Sequence, residues 1–292
     1  MIWVSGWRLA AAVAKAGGLG VLGAGSMQPD VLRTHIQRLR SVWDGPFAVN
    51  MPLLYQHMAA CLDVIIEERV PIVISSAGSP AVVSKVLAEA GVLHVHVVAA
   101  VKQALKCQEL GLSAVVCEGY EAGGHNAPHG TTSMCLIPQI VDAIDLPVIA
   151  AGGIADGRGM AAAMALGAEG VQVGTRFAAS QESSAHSNYK EAVVRAKDRD
   201  TVVAFRSLTP VRLIKNAFSA TALEAEANGA SRQELLSLLG RGRGRRALFE
   251  GDLETGEIEA GQIAGMINDL PPAGDIVKQL IDEYHQACLN LP

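Results

Sequence analysis

Aromatic residues make up only 4% of this 292-residue chain, and charged residues 18%, while half of it is hydrophobic. A core for a chain of this size must therefore be built from Ala, Val, Ile and Leu, which suit buried parallel strands and the helices packed on them. The length fits one barrel-sized domain with an appendage, or two ordinary domains. No CxxC pair occurs, and Cys61, Cys107, Cys117, Cys135 and Cys288 are odd in number and widely spaced. That spacing argues against a zinc site or a disulfide framework, and a reducing cytoplasm is the expected home. No run of about 20 apolar residues is free of polar interruption, so no membrane span is expected. The amino end has no basic segment followed by an unbroken apolar run, so no secretory leader is expected either. A formal charge of −5 gives no general attraction to nucleic acid or anionic membrane. The local exception, Arg241 to Arg246, is either a solvated turn at a helix start or an anion site.

Nucleotide fingerprints are also missing. Gly152-Gly153-Ile154-Ala155-Asp156-Gly157 is not GxGxxG, and no GxxxxGK followed by Ser or Thr occurs. No strand-end lysine is present to form a Schiff base.

What the chain has is rhythm. Short Val- and Ile-rich runs at residues 19–23, 47–51, 72–76, 93–98, 114–118, 147–151 and 170–174 alternate with helical stretches such as 80–90 and 101–110. Gly91 and Gly111 follow two of these stretches, where a helix C-cap sits. Alternation of this kind predicts a parallel sheet, either closed as a barrel or open and doubly wound. An eighth strand is needed for closure. Met1-Ile2-Trp3-Val4-Ser5-Gly6 runs at once into the helical stretch 7–16, so the first strand is expected to be missing from this chain, leaving residues 19–23 and 170–174 beside an open seam. After Phe177 the rhythm stops. Residues 181–259 are expected to form a small helical domain on the substrate side, while 1–180 and 260–292 form the barrel, with 260–270 and 276–289 as closing helices.

Polar residues and glycines gather just past the strand ends, where barrel enzymes place their active sites. The segment from Ala150 to Gly159, containing Gly152 and Gly153, runs from one strand into a helix. Gln172-Val173-Gly174-Thr175-Arg176-Phe177 ends the next. Such turns either merely reverse the chain or let backbone N–H groups and a helix N-terminus hold a phosphate, and their adjacency favours the phosphate. Glu118-Gly119-Tyr120-Glu121-Ala122-Gly123-Gly124-His125 carries two carboxylates, paired glycines and a histidine suited to proton transfer near neutrality. His129 is read as an ordinary loop residue. His94 and His96 share one strand face without a third ligand. Asn50, at a strand end, could address a flavin or cap the next turn.

Taken together, these motifs resemble the family of flavin barrels that contains nitronate monooxygenases and type II enoyl-acyl-carrier-protein reductases. The likeness runs through Ala16 to Gly20, Phe47 to Asn50, Glu121 to His125, Ala150 to Gly159, Gln172 to Phe177 and Ala260 to Gly265. It implies an α/β TIM barrel, here lacking its first strand, with FMN held at its top by Asn50, Glu118, Gly123, Gly152, Gly153, Gln172, Gly174 and Thr175. It implies that the last four of these lie nearest the phosphate and that His125 is the catalytic residue. No metal is implied. In the reductase reading NADH or NADPH is the reductant and a trans-2-enoyl thioester is the substrate in fatty acid synthesis, with acyl carrier protein a possible partner. In the monooxygenase reading an alkyl nitronate meets O2. Glu118 and Thr131-Thr132 look reductase-like, and the reductase reading leads. A non-catalytic flavin or acyl binder is the further alternative, and a homodimer is a possible assembly.

Overall fold

The computed structural model describes residues 4–290; Met1 to Trp3 of the opening segment lie outside it. Seven parallel strands form one curled sheet in chain order: β1 (Val21–Gly23), β2 (Ala48–Pro52), β3 (Ile72–Ser76), β4 (Leu93–Val98), β5 (Ala114–Glu118), β7 (Val148–Ala151) and β8 (Gly170–Gln172). Each lies within or one residue beyond a Val- and Ile-rich run of the sequence. A second sheet holds β6 (Gly124–His125), β9 (Thr201–Ala204) and β10 (Val211–Ile214), all antiparallel, with β10 in the middle.

Strand alternation divides the core into two layers. Val49, Val73, Val115 and Cys117 face outward and pack under the surrounding helices. Ala48, Ile74, Val95, Ala114, Val116 and Ala151 face inward and form a cluster made only of strand residues. Continuing that face by two residues puts Asn50, Ser76 and Glu118 at the inner mouth of the barrel. The sheet is thus a TIM-type barrel without its first strand: among the described residues no ladder joins β1 to β8.

The seam is not wholly open. Gly23 N–H donates to Ser5 O at 3.0 Å, the Ser5 hydroxyl donates to Val21 O, and Ser184 N–H donates to Val4 O at 3.2 Å. Val4 and Ser5 therefore tie β1 to the segment after β8 at the upper end of the gap.

Two expected elements differ from what is found. Residues 181–259 are not purely helical, because they contribute β9 and β10 as well as the helices Ser187–Arg195, Ala217–Ala227 and Arg232–Leu239. Four-residue strands give too short an alternation to stand out. The expected closing helix at 260–270 is only a 3-10 turn, Gln262–Met266. Gly265 sits against its surroundings there, since a Cβ would lie 2.8 Å from the Lys197 backbone. The last helix does form, over Ala273–Leu289, and packs on the helix Gly157–Ala165 so closely that a Cβ on Gly157 would meet Tyr284 N at 2.1 Å. No helix among the described residues is long and apolar enough to cross a membrane.

Candidate active site

The mouth of the barrel is assembled from the ends of β2, β5, β7 and β8. At β2, the Asn50 amide donates to Ile74 O at 2.9 Å and to the Ser76 hydroxyl at 3.3 Å. Its N–H side is committed to β3, which leaves the carbonyl oxygen as the group it can offer a ligand. At β5, the Glu118 carboxyl makes no hydrogen bond among the described residues. Burial at the mouth pushes its pKa up to about 7, because an enclosed carboxylate loses solvation.

Past β7, Gly152 and Gly153 have φ of +87° and +77°, which glycine alone adopts without strain. A Cβ on Gly152 would also lie 2.8 Å from Gly119 O. The backbone N–H groups of Gly152, Gly153, Gly174 and Thr175 donate to no acceptor among the described residues. Unmade donors on adjacent strand ends suit a phosphate. The helix that follows is a different matter. Asp156 accepts from the N–H groups of Arg158 and Gly159, and Glu283 accepts from that of Gly157. Protein carboxylates already cap that N-terminus, so the anion-holding capacity lies in the turns and not in the helix end expected from the sequence. Gln172, at the end of β8, is half-buried beside Ala151.

Two further pieces close the rim. Thr175 Oγ1 accepts from Gly261 N–H at 2.9 Å, and Glu121 O accepts from Gln262 N–H at 2.9 Å. Gly123 sits against this turn, where a Cβ would come within 2.4 Å of Ala260 and Gly261. Backbone crowding, independent of any cofactor, already requires glycine at Gly123.

His125 is not a free loop residue. It lies in β6, paired with Val211 of β10, and is exposed. The loop before it is pinned at several points: the Glu121 carboxylate accepts from the Ser133 N–H and hydroxyl at 3.0 and 3.1 Å, and the Ser133 hydroxyl bonds Gly152 O at 2.8 Å when turned that way. Asn126 donates to Ala122 O and Gly124 O from its side chain, while its N–H reaches Pro210 O at 2.8 Å. Sequence reading missed Glu121, Ser133 and Asn126 as organisers. The N-cap of the helix Ser133–Val141, Thr132, makes no side-chain cap, so no local pattern signalled that Glu121 takes that place.

His94 and His96 face the helices, away from the barrel interior. The Ser75 hydroxyl lies 2.7 Å from a ring nitrogen of each. Burial drops both pKa values to about 4. The pair is a neutral, buried structural cluster. In the arginine-rich stretch, Arg243 donates to Leu238 O, Leu239 O and Thr255 O and stacks 4.2 Å from the Phe218 ring, so it closes a helix end.

Comparison with known proteins shows the family. The profile of the nitronate monooxygenase family matches residues 1–61 and 55–283. FabK from Thermotoga maritima superposes with a TM-score of 0.94 at 43% identity, covering 99% of this chain and 92% of that one. A probable nitronate monooxygenase of Staphylococcus saprophyticus is 37% identical over 259 residues, 72% of each chain. The (3aS,4S,5R,7aS)-5-hydroxy-7a-methyl-1-oxo-octahydro-1H-indene-4-carboxyl-CoA dehydrogenase of Rhodococcus jostii is 31% identical over 318 residues, covering 96% of this chain and 90% of that protein.

Proposed function

Since the chain belongs to the nitronate monooxygenase family of flavin-dependent oxidoreductases, we propose that it binds FMN and reduces trans-2-enoyl thioesters at the expense of NADH or NADPH, as a type II enoyl-acyl-carrier-protein reductase. The observation that carries this choice is the 43% identity to FabK over 99% of the chain. A relative named for a CoA-thioester substrate points the same way.

The residues divide the work as follows. The free N–H groups of Gly152, Gly153, Gly174 and Thr175 hold the FMN phosphate. Asn50 offers its carbonyl oxygen, and Gln172 and Glu118 face the cofactor from neighbouring strand ends. When bound, FMN supplies the hydride that the β-carbon of the enoyl thioester receives. His125 delivers the proton that completes the α-carbon, and its exposure leaves it able to recover one from water. Residues 181–259 cover the substrate side of the mouth. The protein works in the cytoplasm, and acyl carrier protein is its partner.

The probable nitronate monooxygenase of Staphylococcus saprophyticus favours a second reading. There His125 removes the α-proton of a nitroalkane, and O2 is the oxidant. One anaerobic experiment separates the two. In the reductase, NADH or NADPH bleaches the flavin absorbance rapidly, and a crotonyl thioester restores it. Indifference to both nicotinamides, together with oxygen consumption on propionate 3-nitronate, would reverse the choice.

A further inference from the structure

The histidine-bearing loop does not hold itself in place. Its β6 is two residues long and would have no ladder without β10, where Arg212 pairs with Gly124 and Val211 with His125. The Arg212 side chain lies buried beneath this loop. Its Nη2 and Nε both donate to Tyr120 O, at 2.8 and 3.3 Å, and Nη1 reaches Thr201 Oγ1 at 3.4 Å on β9. The guanidinium carbon also stands 5.4 Å from the centre of the Tyr120 ring.

Every hydrogen-bond acceptor of this buried cation is a neutral oxygen, and the Glu121 carboxylate favours its charge only through space. For stability alone this is a poor use of arginine, because a buried charge is costly unless a carboxylate bonds it directly. What a forked, rigid guanidinium gains over an aliphatic chain is geometry: it grips one carbonyl twice while stacking on the same residue's ring. Tyr120 is five residues before His125, and the two lie at opposite ends of the Gly-rich turn. Fixing Tyr120 at one end and Gly124 at the other leaves that turn no freedom to shift.

We infer that Arg212 is a positioning residue for His125, clamping the Tyr120–Gly124 turn so that the imidazole stands at a fixed place over the barrel mouth. The inference rests on His125 being the proton-transfer residue. It also makes the second sheet part of the active site, since the clamp is carried by β10.

The test is a double-mutant cycle in the flavin-loaded enzyme, with Arg212→Met, His125→Ala and both together. Arg212→Met should lower kcat about 10- to 100-fold, as expected for a displacement near 1 Å, with KM within about twofold and flavin content unchanged. It should cost nothing further in the His125→Ala background. Millimolar methylguanidinium should restore part of the activity of Arg212→Met and none of that of the double variant. Additive losses would overturn the clamp, and so would a raised KM with kcat intact, which would make Arg212 a substrate-binding group. If Arg212→Met does not fold, Arg212→Lys is read in the same cycle, because a point charge cannot grip one carbonyl twice. If instead His125→Ala alone leaves turnover unchanged, the proton-transfer reading fails, a result distinct from additivity.

Discussion

Replacing Glu118 by Gln should make the protein more stable, by an amount that depends on pH. The ordinary pKa of a glutamate is 4.5, and burial at the barrel mouth raises that of Glu118 to about 7. A carboxyl with a raised folded pKa binds a proton more tightly in the native state, so stability is complete below pH 4.5 and declines as pH rises through 7. Integrating between those two values gives a penalty of about 1 kcal/mol at pH 5 and about 3 kcal/mol at pH 8. Glutamine keeps the shape and carries no charge, so Glu118→Gln should recover that penalty. A pH-independent offset from the altered amide contacts does not affect the slope. Urea unfolding of flavin-free parent and variant, run in parallel from pH 5 to pH 8, should show their difference growing by about 2 kcal/mol. A constant difference, or one that shrinks toward high pH, would refute the argument that Glu118 is desolvated and unpaired. Such a residue is a destabilised group at the proposed cofactor site.

Other outcomes follow from the geometry and the electrostatics. Gly153→Val puts a branched side chain at φ +77° and should leave the purified protein short of flavin by its absorbance ratio; full occupancy would show that the turn is not a phosphate cradle. His125→Ala should cut turnover by roughly 10²- to 10⁴-fold with flavin binding intact, and loss of the flavin would instead mark His125 as structural. Ser75→Ala removes the hydroxyl between His94 and His96 and should cost about 1–3 kcal/mol for each orphaned ring nitrogen in urea melts. Those imidazoles titrate near 4 when folded against an ordinary 6.5, so their contribution is complete above pH 6.5 and falls away toward pH 4. A double variant with leucine at both positions should lose that part of its acid sensitivity.

The barrel was legible in the amino-acid order because parallel strands buried on both faces leave continuous Val and Ile runs, and each run ends where a small or polar residue turns outward. Ala114–Glu118 is an example, reading through Val115, Val116 and Cys117 to a carboxylate at the mouth. The second sheet was not legible. Its strands have two to four residues, and its decisive contact, Arg212 to Tyr120, spans 92 positions. Nor could spacing show that Glu283 caps the helix after Gly153, since the partners are 126 residues apart. Residue chemistry pointed to His125 and the glycine turns, whereas the supports that orient them come from long-range pairing.

The capping of Gly157 by Glu283 has a consequence for how the protein is made. Every barrel strand has been synthesised once Gln172 is added, yet the turns at Gly152 and Gly174 still lack their outer supports. Thr175 waits for Gly261, Glu121 for Gln262, and Gly157 for Glu283. A growing chain on the ribosome can therefore complete its sheet well before it can complete the proposed flavin cradle. Contacts of such long sequence separation form late, so cofactor capture belongs after the final helix has docked. A nascent chain stalled near residue 250 should carry the strands but retain no flavin.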